Sequence, residues 1–224
     1  MKAQKRSWLF GVMAGTVLTF TTQVGMALAE PPDVIHFQLV PNPAFVRCLA
    51  QYPDNPDRPS IAEVTVRRGR LNDVLQLHAR HIKPGLAFDL FTVERTSLLN
   101  AQGDPNPDFV AHNRSFGLAW YQSDIEANDE GEASVRIRTI LLDQIFGFDP
   151  DVQLPPTNTF HVGFWFNDPN DAAACGFNVN NPTPFNGEHM AGPLAMISVP
   201  DPDTQLGPLC SNPDTSTSPV RCNP

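Results

Sequence analysis

Twenty-three prolines are scattered through this chain of 224 residues, and their spacing leaves little room for a long helix. Proline has no amide hydrogen to give to a helix or a ladder and holds φ near about −65°, so each one ends an element or sits in a turn. Between the prolines, apolar and polar residues alternate. Val34-Ile35-His36-Phe37-Gln38-Leu39-Val40 reads as a first strand that stops at Pro41-Asn42-Pro43. Ile61, Glu63, Thr65 and Arg67 interleave with Ala62, Val64 and Val66, and after Arg68-Gly69-Arg70 the pattern resumes from Leu71 to Ile82, which predicts a hairpin.

Lys83-Pro84-Gly85 carries a turn signal, because Pro84 presets φ at the second position of a type II turn and Gly85 supplies the positive φ of the third. A strand from Leu86 to Val93, antiparallel to its predecessor, follows. Phe116 to Gln122 and Ala133 to Thr139 read as a further pair joined through Asn128-Asp129-Glu130-Gly131, where Gly131 relieves the backbone. Thr139 to Phe148 reads as a short helix or a strand end, Thr159 to Phe166 as a strong strand and Leu194 to Val199 as the last. About eight short strands without a long helix predict an all-β fold, an antiparallel β-sandwich of immunoglobulin-like or jelly-roll type, over residues 30–199. Residues 200–224 are rich in Pro, Asp, Ser and Thr and read as a tail with too little apolar surface to order itself.

At the amino end Lys2, Lys5 and Arg6 precede an uncharged, mostly apolar run from Trp8 to Phe20, and Ala27-Leu28-Ala29 forms an Ala-x-Ala site. That order predicts a signal peptide over residues 1–29, a mature chain that begins at Glu30, and a secreted, periplasmic or cell-surface location with no membrane span after cleavage. Removing residues 1–29 takes three of the 15 basic residues and none of the 24 acidic ones, which leaves a formal charge of −12. With that charge and no run of Lys or Arg after the signal, nucleic acid and anionic membranes are disfavoured partners; a cell-surface protein or a glycan remains. All four cysteines lie in the exported part. Of their three possible pairings, Cys48–Cys175 with Cys210–Cys222 is expected, the first tying an early segment to a late one and the second closing a loop in the tail.

No Gly-x-Ser-x-Gly, His-Glu-x-x-His or phosphate-cradling glycine loop occurs. The acidic stretch Asp124 to Glu132 offers oxygens of the kind calcium takes, but neither EF-hand register ends on a carboxylate, so a solvated hairpin tip is the plainer reading and no cofactor is expected beyond calcium as an alternative. Asn167-Asp168-Pro169-Asn170-Asp171 and Asn186-Gly187-Glu188-His189 flank Cys175, and a bridge there would hold both loops at one end of the sandwich. Asp168, Asp171, Glu188 and His189 are then candidate metal ligands or an acid–base pair. His78 and His81 sit at i and i+3 on a strand, which sends their rings to opposite faces. Phe160, Phe164, Phe166 and Phe177 read as core, whereas Trp165 faces the other way and, with Trp120 and Tyr121, is a candidate sugar-stacking residue.

Lys83-Pro84-Gly85, the run Gly117-Leu118-Ala119-Trp120-Tyr121-Gln122-Ser123-Asp124, and Pro184-Phe185-Asn186-Gly187-Glu188-His189 give the chain a resemblance to uncharacterised exported bacterial β-sandwich proteins, over about half of the mature part. The resemblance implies that fold and brings no catalytic residues. The expected function is a non-catalytic extracytoplasmic structural or binding module. Two alternatives stand beside it: a metal-dependent hydrolase using the 167–171 and 186–189 loops, and a calcium- or carbohydrate-binding lectin-like module.

Overall fold

The strands form where apolar and polar residues alternate, and they stop where Pro, Gly or Asn intervenes. The computed structural model describes residues 34–94, 119–139, 146–147, 157–158, 161–183, 190–218 and 220–223. Its strands are β1 (Val34–Pro41), β2 (Ile61–Arg67), β3 (Asp73–Arg80), β4 (Ala87–Val93), β5 (Ala119–Glu126), β6 (Ala133–Thr139), β7 (Phe146–Gly147), β8 (Thr157–Asn158), β9 (His161–Phe166), β10 (Leu194–Ser198), β11 (Pro213–Asp214) and β12 (Arg221–Cys222). Helical structure among the described residues is limited to α1 (Val46–Leu49) and a 3-10 segment, Pro169–Cys175. No helix among them is long and apolar enough to cross a membrane. The protein is all-β.

Eight strands join in one antiparallel sheet in the order β5-β4-β9-β10-β1-β2-β3-β6, with β7–β8 and β11–β12 as separate short pairs. The expected β2–β3 hairpin is present, with Val64 opposite Leu77 and Val66 opposite Leu75. Two other expected pairings are not. β4 lies between β5 and β9 rather than beside β3, because β3 already has β2 on one side and β6 on the other. The Lys83–Leu86 turn instead carries the chain across the end of the sheet. The Leu86 amide donates to the Lys83 carbonyl at 3.4 Å with Gly85 at φ +79°, as a type II turn requires.

The β5–β6 connection is the second difference. Its turn forms as expected, with Gly131 at φ +78° and the Asn128 amide donating to the Glu132 carbonyl at 2.9 Å. Yet β5 pairs with β4 and β6 with β3, so the turn joins the two outer strands of the sheet. These strands meet through the Thr139 hydroxyl, which donates to Gln122 Oε1 at 2.8 Å. A Cβ at position 131 would stand 2.5 Å from the Ile82 carbonyl oxygen, so glycine is required there for space as well as conformation.

The core lies on one side of this curled sheet and draws on every strand of it, including Leu39, Val64, Val66, Leu75, Leu77, Phe88, Leu90, Ile125, Ala133, Val162, Phe164, Phe166 and Met196. At the end where β1 stops and β2 starts, Phe45, Cys48 and Leu49 enter the core together with Ala172 and Phe177. The Cys48–Cys175 disulfide ties these two segments across a separation of 127 residues, with a Cα–Cα distance of 6.1 Å. Closing a loop of that length stabilises a fold by on the order of 4–5 kcal/mol in chain-entropy terms. The second bond joins Cys210 to Cys222. No described cysteine is free, and two such bonds fit an oxidising, extracytoplasmic compartment.

The tail differs from its expected disorder. Leu209 is fully buried in the core cluster, Arg68 Nη1 in the β2–β3 turn donates to Ser211 Oγ at 2.7 Å, and β11 and β12 form a small hairpin held by Cys210–Cys222. Asp201 accepts the Asp203 and Thr204 amides and Asp214 the Ser216 amide, so the polar residues satisfy tight turns while a single leucine anchors the segment. Leu209→Ala is therefore expected to cost about 2–5 kcal/mol, as for a core leucine. Urea unfolding of the variant checks this, and a loss below about 0.5 kcal/mol, typical of a surface site, would show the tail to be a passive strap.

Candidate functional site

The two faces of the sheet are not alike on its two halves. On β4, β9 and β10 both faces are buried: behind the core-facing rows, Phe91, Val93, Trp165, Leu194 and Ile197 form a second buried cluster. On β1, β2, β3 and β6 the side chains pointing away from the core are mostly polar and are exposed or half-buried. The register aligns them in rows. Gln38, Glu63, His78 and Ser134 form one, His36, Thr65, Gln76 and Arg136 the next, and Val34, Arg67, Val74 and Arg138 a third.

A shallow groove of about 500 Å³ runs over this face, lined by Glu63, Thr65, Gln76, His78, Ser134 and Arg136 together with the apolar Leu77 and Val135. Its imidazoles are tethered, His78 Nδ1 to Ser134 Oγ at 2.7 Å and His36 Nδ1 to Thr65 Oγ1 at 2.9 Å. Arg80 pairs with Glu63 at 3.3 Å. Arg67, Arg136 and Arg138 are exposed and form no ion pair among the described residues. Four of the twelve Lys and Arg residues after position 29 therefore gather on one face with a single carboxylate among them. The patch is not legible as a basic run in the sequence because it is assembled from three strands. Its signal was parity: these arginines fall on the alternate positions that the core leaves free.

The residues singled out from sequence lie elsewhere. Trp165 does face away from the main core, but it is only 5% exposed and packs edge-on against Phe91 with ring centroids 5.3 Å apart, so it offers no ring face to a sugar. Phe164, Phe166 and Phe177 are core, as expected, whereas Trp120 and Tyr121 are exposed on β5 at 50% and 41%. Asn167 turns inward and donates from Nδ2 to Oδ1 of the buried Asp89 at 2.9 Å. Asp168 caps the 3-10 segment, accepting the Asn170 amide and side-chain NH2 at 2.8 Å each. Asp171 lies one turn on, its carboxyl pKa raised by partial burial and by the charge of Asp168, against an opposing pull from Lys83. Glu188, His189 and Phe160 lie outside the described residues, as does the expected signal segment. At the acidic hairpin tip, Asn128 Oδ1 already accepts the Glu130 and Glu132 amides. Among the described residues no three His, Cys, Asp or Glu side chains are grouped to hold a metal ion.

His81 lies just past the end of β3 with φ +59°, its Nδ1 donating to the Pro59 carbonyl at 2.8 Å and its ring set edge-on to Tyr52, so it is apart from His78 as expected, but through this turn of the backbone rather than through strand alternation. His161 is a buried group with no ligand-facing surface: it is 1% exposed and bonded through Nδ1 to Ser198 Oγ at 3.1 Å. Compared with protein-family models, with curated proteins and with solved structures, the chain matches none.

Burial lowers the His161 pKa from the ordinary 6.5 to about 4, with the Ser198 hydrogen bond opposing. Below pH 6.5 the unfolded chain takes up a proton that the folded chain refuses down to about 4, so stability is full above 6.5 and declines through that window as pH falls. The size is on the order of 3 kcal/mol. Urea unfolding at several pH values should show His161→Gln with a shallower loss than the parent between pH 6.5 and 4. Parallel curves would mean that the ring is not held neutral.

Proposed function

We propose that this chain is a non-catalytic extracytoplasmic binding module whose ligand surface is the outward face of β2, β3 and β6. The observation that carries the reading is the set of cross-strand rows, in which hydroxyl, amide, imidazole and three unpaired guanidinium groups point to solvent over a packed core. Gln76 and Arg136 have no side-chain partner among the described residues, and a groove that holds such groups beside tethered imidazole and hydroxyl groups is suited to recognition. The disulfides and the basic, apolar and small-residue order at the amino end support export. With this goes a reading of the curled sheet as a flattened sandwich, one layer β5-β4-β9-β10 and the other β1-β2-β3-β6. It is in keeping with the resemblance to exported bacterial β-sandwich proteins.

A hydrolase reading rests on the raised carboxyl of Asp171 beside Asp168. It needs Glu188 and His189 to complete the site. The two readings separate by mutation. Retention of the labelled protein on cell envelopes should be lost in a Gln76→Ala, Arg136→Ala double variant and kept in an Asp168→Asn, Asp171→Asn one. Loss in the second alone would move the site to the 3-10 segment, and unchanged retention in both would remove the sheet face from consideration.

A further inference from the structure

We propose that the ligand of the β2–β3–β6 face is an anionic polysaccharide, a sugar chain bearing uronate carboxylates or sulfate esters; this rests on the binding-module reading above. The spacing of the cations argues for a repeating anion. Arg67 and Arg138 occupy one cross-strand row with Val74 between them. They are thus two strand spacings apart, about 10 Å, and Arg136 is one same-face step from Arg138, about 7 Å along β6. A single small anion cannot span three guanidiniums so placed, whereas a polymer with a charge on successive units can meet each in turn. Guanidinium, with its forked donors, suits carboxylate and sulfate oxygens better than an ammonium does, and the chain after position 29 has eleven arginines and one lysine.

What lies beside the arginines narrows the polymer. Thr65, Gln76, His78 and Ser134 offer hydroxyl, amide and imidazole groups matched to sugar hydroxyls, while Glu63 is held by Arg80. No Phe, Tyr or Trp lines the groove to stack a nucleobase, and the binding of single-stranded nucleic acid depends on such platforms. The groove's lining is mostly polar, with Leu77 and Val135 as the apolar members, which gives little for the anchoring side chains of a peptide, and β2 and β3 are paired on both sides. The chain after position 29 carries a formal charge of −12, so attraction of a polyanion depends on local clusters such as this one, which makes binding sensitive to salt.

The purified protein with both disulfides intact is titrated with a uronate polymer, a sulfated polysaccharide, a neutral glucan and poly-glutamate. Binding to one or both anionic polysaccharides is expected, weakening several-fold between about 0.05 and 0.3 M salt. An Arg136→Gln, Arg138→Gln double variant should bind at least about tenfold more weakly with unchanged thermal unfolding. Arg47→Gln, away from the face, should bind like the parent. Which of the two anionic polymers binds more tightly distinguishes carboxylate from sulfate recognition. Poly-glutamate binding as tightly as the sugars would overturn the inference in favour of an acidic protein partner. Salt-insensitive binding of the neutral glucan, lost in Gln76→Ala, would overturn it while leaving the binding-module reading in place. Binding to none of the four, or equal binding by the parent and the Arg136→Gln, Arg138→Gln variant, would overturn it as well; the envelope-retention result then decides whether the module reading survives.

Discussion

Burial of the inward rows on β2, β3 and β6 fixes the register of the whole half-sheet. Val64, Val66, Leu75, Leu77 and Ala79 are within 2% of full burial, and a slip of one residue would expose them and carry Glu63, Arg67, Gln76 and His78 into the core. Taking an unpaired arginine out of water costs far more than any alternative pairing returns, so only one register survives. The same constraint creates the surface proposed for binding. Once the inward positions are assigned to packing, the alternate positions turn away from the core, and here they carry Arg67, Arg136 and Arg138.

The other half of the sheet spends both faces on packing. Every residue of β9 from His161 to Phe166 is buried, as is every residue of β10, and the Phe91–Trp165 pair sits on the side opposite Phe88, Phe164 and Phe166. Both ends of the core are closed by segments from outside the sheet. At one, α1 and the 3-10 segment are joined by Cys48–Cys175; at the other, the Arg68–Ser211 hydrogen bond places the tail that inserts Leu209. Cross-linking matters more here than in a helical protein of similar size, since the strands pair far apart in sequence and loop closure is the main entropic obstacle.

What could be read from the sequence was what is local. The β2–β3 hairpin, the Pro84-Gly85 turn and the Gly131 turn each depend on a few adjacent residues, and they form where alternation and backbone chemistry place them. The partners of β4 and β6 depend on which edges other strands leave open, which no window of adjacent residues encodes. Leu209, with Leu206, stands in a Pro- and Asp-rich stretch that shows no alternation, so its burial could be seen only with the core in view. Trp165 was assigned to the correct face, but the unbroken absence of charge from His161 to Phe166 was the sign that both faces of β9 are covered. The arginine patch is the clearest case. Its members lie up to 71 positions apart in the chain and are adjacent only across strands, so a scan for basic runs passes over them.

The central claim is that one half of this sheet is divided strictly into a face that folds the protein and a face that is free to bind. Equilibrium urea unfolding of Gln76→Thr and Arg136→Thr beside Leu75→Ala tests it most directly, because all three lie within two adjacent strands. The account predicts outward substitutions within about 0.5 kcal/mol of the parent and a loss of about 2–5 kcal/mol for Leu75→Ala. Outward substitutions that cost as much as the inward one would contradict it, because the polar rows would then be part of what holds the sheet together.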